Sequence, residues 1–383
     1  MNRLLVGAMA LALGAIPAAA QSLDDLNIQV HGYAAQGFLY TTANNIFYAN
    51  SSDGSPAWTE AVLNVSAQPI PKLRIGVQAR YFLLGSSGNA FVLDWAAADY
   101  KVNDKFGVRF GKVKTPWGLM NETQDIDPSY MWALLPQSVY DITTRNADLA
   151  HYGAVAYGTL KLAPSAGKLD YRAWGGEQVI PADDGSFADL IAAGNGPLSS
   201  LNYVTLGAAL HWHTPLSGLM VGASDGHANK ASVALADETG PASESFTEWN
   251  NVSYFAQYEK DKWMLAGEWN RQASSGVQNF TDDPSASIDT DPRAWYVMAT
   301  YKATGKLTVG AYDSQVVDHE LKLGPDRYSK DWTVSGRYDV NQFIYLKAEE
   351  HFIEGTSLSF ENSNNTVLKP SSKLTALRIG VSF

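Results

Sequence analysis

The side chains best placed to act on a solute are charges of both signs gathered in one part of the chain. Between Val113 and Leu149 stand Glu122, Asp125, Asp127, Asp141 and Asp148 against Lys114 and Arg145, a net charge of −3. Arg74, Arg80 and Arg109 lie on the segments just before this stretch. Fixed charges facing one another across an aqueous gap break no bonds. They set a transverse field that sorts passing solutes by size and dipole, with a mild bias for charge. Arg74, Arg80, Arg109, Lys114, Glu122, Asp125, Asp127 and Arg145 are therefore the candidate constriction residues.

Bond-making chemistry has thinner support. A hydrolase needs a serine, a histidine and an orienting partner within reach. The chain has seven histidines but no G-x-S-x-G signature. His211 and His213 share one strand face and could begin a metal site, yet no carboxylate spacing completes a ligand set. With no cysteine there are no disulfides, thiolate metal sites or cysteine nucleophile. The expectation is a protein that is not an enzyme and takes no cofactor or metal. A membrane-embedded hydrolase is the alternative from another class, and an adhesin or structural barrel with a closed lumen is a third.

The elements that would hold these residues follow from a period of two. Leu73, Ile75, Val77, Ala79 and Tyr81 alternate with Arg74, Gly76, Gln78, Arg80 and Phe82, giving a strand with one apolar and one largely polar face. The pattern recurs at 27–40, 57–68, 90–101, 105–112, 150–161, 168–176, 201–213, 218–226, 247–259, 262–272, 293–302, 306–317, 328–339, 343–354 and 373–383, for sixteen strands in all. Short turns alternate with long polar loops near 41–56, 113–149, 177–200, 227–246, 273–292, 318–327 and 355–372, and one shorter loop at 84–89. This predicts an all-β fold: a transmembrane antiparallel up-and-down β-barrel of about 16 strands with both termini on the periplasmic side. Lipid offers no hydrogen-bond partner, so a sheet that crosses it must close. Sixteen strands leave a lumen too wide for side chains to fill, and the polar strand faces would fill it with water.

Tyr254, Tyr258, Trp263, Trp269, Trp295, Tyr301, Trp332 and Tyr338 fall on the apolar faces as candidate aromatic girdles against outer-membrane lipid. The third loop is too apolar to remain in solvent, since it carries Trp117, Met120, Tyr130, Trp132 and Leu134. The expectation is that it folds into the barrel and narrows it.

The ends of the chain agree. Arg3, the apolar run Leu4 to Ile16 and Ala18-Ala19-Ala20 read as a secretory leader over 1–20, leaving 21–383 as the barrel. Phe383 closes a mostly apolar strand face and is a candidate assembly signal. After removal of Arg3, 27 basic residues face 39 acidic ones, an acidity that argues against nucleic-acid partners. A mean hydropathy of −0.17 with 11 Trp, 19 Tyr, 14 Phe and 32 Gly suits strands that meet lipid on one face only.

Two stretches carry a resemblance: Phe110-Gly111-Lys112-Val113-Lys114-Thr115-Pro116-Trp117-Gly118, and Leu134-Leu135-Pro136-Gln137-Ser138-Val139-Tyr140. They resemble Gram-negative outer-membrane porins of the phosphate-selective (O/P-type) superfamily. The resemblance implies sixteen strands, an inward-folded third loop and commonly a homotrimer passing small hydrophilic solutes and ions. Phosphate-selective members rely on dense arginine and lysine, whereas this loop is acidic. The expected function is a general diffusion channel, with an anion- or phosphate-selective channel as the alternative within that class.

Overall fold

The computed structural model describes residues 26–86, 89–182, 198–237, 240–279, 284–358, 365 and 367–383. The expected leader, 1–20, lies outside them. Sixteen antiparallel strands close a barrel: β1 (Gln29–Thr41), β2 (Ser55–Ile70), β3 (Leu73–Leu84), β4 (Asn89–Asn103), β5 (Phe106–Lys114), β6 (Ala150–Lys161), β7 (Lys168–Pro181), β8 (Leu198–His213), β9 (Leu219–Asp237), β10 (Gly240–Lys260), β11 (Trp263–Asn279), β13 (Pro292–Lys302), β14 (Leu307–Asp318), β15 (Tyr328–Asp339), β16 (Ile344–Gly355) and β17 (Ser371–Ser382). The short β12 (Ala286–Thr290) pairs only with the far end of β11, at Ser274–Gln278. Each wall strand pairs with its sequence neighbour, and β1 with β17 closes the ring from Tyr33 opposite Ser382 to Thr41 opposite Leu374.

Alternation decides which side chains meet lipid. On β17, Leu377, Ile379 and Val381 are 44–48% exposed, while Leu374, Ala376 and Arg378 between them are buried. Strands are linked at one end by tight turns, such as Asp261-Lys262, where Asp261 takes φ 56°, the left-handed backbone that two-residue hairpins need. Both described termini lie at this end, since Gln29 opposes Ser66 and Phe383 exchanges backbone hydrogen bonds with Gly32.

The outer aromatics form two rows. Trp263 and Trp269 on β11, Trp295 and Tyr301 on β13, and Trp332 and Tyr338 on β15 are each six residues apart, roughly 20 Å along a strand. Tyr254 stacks on Trp269 at 5.8 Å, and Trp263 leans on Tyr301 at 4.6 Å. Tyr254, Trp263, Trp269, Trp332 and Tyr338 are exposed on the outer wall; Tyr258, Trp295 and Tyr301 share its parity but are half-buried among neighbours.

The loops expected at 227–246 and 273–292 are largely strand. β9 and β10 run 19 and 21 residues, about twice what a bilayer requires, so this hairpin projects from the membrane. Its Ala, Ser and Gly content reads as solvated loop. Packing overrides that composition: inward-facing Val233, Leu235 and Ala242 bury against Ile180, Leu198, Leu201 and Ala147.

At the seam a close approach fixes one side chain. A Cβ on Gly37 would lie 2.1 Å from Trp58. The Trp58 indole is fully buried and carries the Arg378 guanidinium 4.4 Å from its ring centroid. Gly37→Val is expected to displace this ring at a cost of about 1–3 kcal/mol, seen as a lowered midpoint in thermal melts of the detergent-solubilised barrel. Ala34→Val, on the exposed face of the same strand, should leave the midpoint unchanged.

Candidate functional site

The connection between β5 and β6, residues 115–149, begins as Lys114 ends its strand and closes through the one-turn helix α1 (Arg145–Leu149). Its polar groups bond to the inward faces of strands around the wall. The Leu119 amide and the Tyr140 hydroxyl donate to Glu268 on β11, the latter at 2.6 Å, and Tyr296 on β13 donates to the same carboxylate. Gly118 N–H donates to Ser224 on β9. The amides of Ala133 and Leu134 donate to Glu349 on β16 at 2.7 and 3.0 Å. Arg337 on β15 donates to the carbonyls of Pro128 and Tyr130. A segment without a ladder of its own must find partners for its buried backbone groups, and wall carboxylates and cations supply them.

Apolar packing works with these bonds. Trp117, Met120, Met131, Trp132, Val139 and Tyr140 cluster with Val155 and Trp174 on one side of the barrel and with Tyr296, Met298 and Tyr312 on the other. Trp117 stacks on Tyr140 at 5.4 Å, and Trp132 meets Tyr312 edge-on at 5.1 Å. Each such side chain contributes about 1.5–3 kcal/mol through burial. A second cluster seats Ala133 and Leu134 against Leu39, Trp58, Phe82 and Leu84.

The charged side chains divide into a dry and a wet set. In the dry set, Arg145 forms a fork on Asp94 at 2.8 and 2.9 Å. Glu60 takes Arg80 at 2.6 Å and Arg378 at 2.5 Å, and Asp127 takes Lys347 at 2.9 Å and the Tyr345 hydroxyl at 2.5 Å. Asp125 takes Lys114 and Gln78, both at 2.7 Å. Arg80, Arg145, Asp125 and Asp94 are nearly inaccessible. They anchor the loop. In the wet set, Glu122 bridges Arg109 and Arg172 at 2.8 Å each, and Arg109 also reaches Asp99 at 3.3 Å. Their side chains keep 22–31% of their surface.

Burial alone would raise the Glu122 carboxyl; Arg172 and Arg109 override it and hold the group below its ordinary range. Asp148 has no such partner. Burial, reinforced by Asp141, pushes it up to about 7 even though the Thr144 hydroxyl donates to it.

Of the eight candidate constriction residues, the structure brings seven to the loop and its seat. Arg74 is the exception. It bonds to Ser66 at 3.0 Å and stands opposite Asp99 in the β3–β4 register. An acidic loop facing a basic wall across open water is thus replaced by a mostly internally paired set with one wet cluster. Asp94, Asp99 and Arg172 complete that set. Asp94 escapes alternation because a bulge sets Trp95 opposite Gln78 and Leu93 opposite Ala79, so the inward phase shifts by one. His213 pairs with Asp170 at 2.8 Å, while His211 packs edge-on against Phe255.

No protein-family model matches the chain, and no curated protein matches it significantly. Solved structures do. The chain is similar to an anion-selective porin from Comamonas acidovorans (TM-score 0.56, 11% identity, covering 93% of this chain and 99% of that one). It is similar to the outer membrane channel DcaP of Acinetobacter baumannii (0.56, 12%, 96% and 100%). It is also similar to OmpT, an outer membrane protein of Vibrio cholerae, in its trimer form (0.52, 11%, 93% and 99%). The shared property is the fold: a closed barrel of sixteen strands with a lipid-facing apolar belt, an architecture of the bacterial outer membrane.

Asp94→Ala leaves the Arg145 guanidinium buried without its partner, which costs about 3–5 kcal/mol. The loop seat is expected to loosen while the wall stays closed. Limited proteolysis of the folded barrel should cut within 115–149 in the variant and spare the parent.

Proposed function

We propose that this chain is a passive outer-membrane porin, a water-filled diffusion channel for small hydrophilic solutes and ions, constricted by loop 115–149. The observation that carries the reading is the partly solvated set Arg109, Arg172, Glu122 and Asp99, two cations and two carboxylates meeting where Glu122 of the loop reaches the inner wall near the short-turn ends of β4, β5 and β7. A solute moving beside it meets both signs within a few ångströms. Such a field orients dipoles and penalises bulk, and it favours neither ion strongly because the formal charges cancel. The dry pairs behind it keep the loop from swinging with the solute. This reading stands against phosphate selectivity and needs no catalytic role.

The outer wall supports association of copies. On the adjacent strands β16, β17, β1 and β2, Glu350 accepts from Thr375 and Gln36 accepts from Thr59, both pairs on the outward face. A carboxylate facing hydrocarbon is unfavourable, so this sector is where a neighbouring subunit would lie. We infer a homotrimer: a detergent-solubilised particle of three protein masses supports it, and one of a single mass contradicts it.

The channel itself is tested by liposome swelling with sugars of increasing size and by reversal potentials in a salt gradient. Swelling should fall off with solute size, and the parent should be weakly selective. Glu122→Gln leaves Arg109 and Arg172 facing a neutral group and should move selectivity toward anions. Strong anion selectivity in the parent, or liposomes that do not swell, would contradict the reading.

A further inference from the structure

On the loop side of the constriction, bounded by β6 to β11 and the loop, lies a half-open cleft that the ion-sorting account does not use. Its base is formed by Trp117 and Trp174, each no more than 5% exposed. Above them the partly exposed rings of Tyr203 and Trp249 stand 5.3 Å apart at 37°. The amides of Asn251 and Gln272 and the hydroxyls of Thr115 and Thr205 also line it.

One buried polar atom in this lining, Gln178 Oε1, has no hydrogen-bond partner among the described residues. The Gln178 and His151 side chains are both held by hydrogen bonds. Gln178 Nε2 donates to the Asn146 carbonyl at 3.1 Å, and His151 Nδ1 pairs with the Thr115 hydroxyl at 2.9 Å. A buried polar group left unmatched costs free energy that a ligand or water can recover.

The charge of the lining narrows the ligand. Among the described residues no lysine or arginine borders the cavity, and its exposed histidine, His227, is engaged by Asn250 and Asp225. Its one carboxylate among the described residues, Asp148, is pushed up to about 7 by burial and already accepts from the Thr144 hydroxyl, so near neutrality it offers a cation a fraction of a charge. What remains is aromatic faces beside neutral amides and hydroxyls. A sugar ring matches both, with C–H faces for the rings and hydroxyls that donate to one group while accepting from the next.

We propose that this cavity is an entry subsite for a neutral sugar of one or two rings, holding it on the external side of the constriction before passage. Its role in uptake rests on the channel reading above; the binding site does not.

The test uses the intact barrel and maltose as probe, with two readouts. In planar bilayers, maltose added on the loop side should reduce the current saturably. Trp249→Ala should raise the half-blocking concentration roughly tenfold with its sugar-free conductance unchanged, and Gln178→Leu should shift it in the same direction. In detergent, maltose should change tryptophan fluorescence saturably in the parent and far less in Trp249→Ala. Saturable fluorescence without any conductance would uphold the subsite and overturn the channel. A current loss linear in maltose and equal in parent and variant, with no saturable fluorescence change, would overturn the subsite and leave the channel standing. Saturable block by choline chloride or phosphate but not by maltose would also overturn it.

Discussion

Hydrocarbon offers a backbone amide no partner, and an unmatched one there costs several kcal/mol. The first demand on this chain is therefore that its last strand find its first. β17 meets β1 along nine residue pairs, and Phe383 exchanges backbone hydrogen bonds with Gly32. Once that seam is closed, each strand has two faces with two solvents. The outer takes Leu, Ile, Val and two rows of aromatics; the inner is free to carry charge. The dense ion pairing inside the barrel is possible because closure separates it from lipid.

Closure creates the problem that the third loop answers. A sixteen-stranded ring is too wide for its own side chains to span. Residues 115–149 cross the space, their backbone matched to Glu268, Glu349 and Arg337 and their apolar side chains gathered on Trp174, Tyr296 and Tyr312. Buried ion pairs such as Arg145 with Asp94 add little net stability over an apolar substitute, yet they tolerate no loss of one partner. They specify one seat for the loop. The charges left partly wet are Glu122 with Arg109 and Arg172.

Much of this was legible in the chain. Alternation alone placed all sixteen wall strands, because a wall with lipid on one side and polar surroundings on the other imposes a period of two that no other fold sustains so long. It failed where local rules break. The bulge between Gln78 and Ala79 brings Asp94 to the inner face, and no residue type announces it. The β9–β10 hairpin continues past the membrane because Val233 and Leu235 find a core made by distant strands, which composition cannot reveal. Arg74 and Arg80 look equivalent in sequence, but six residues apart along a wall they occupy different depths. Which charges are dry and which wet depends on where the loop settles, a property of the whole barrel.

The central claim is that the loop, and not the wall, sets the bore. Single-channel conductance of a variant in which residues 119–140 are replaced by a short Gly-Ser linker tests it most directly, since the wall ladder does not depend on those residues. The account predicts a conductance several-fold above the parent's, with loss of discrimination by solute size. A conductance equal to the parent's in a barrel that still folds would contradict it.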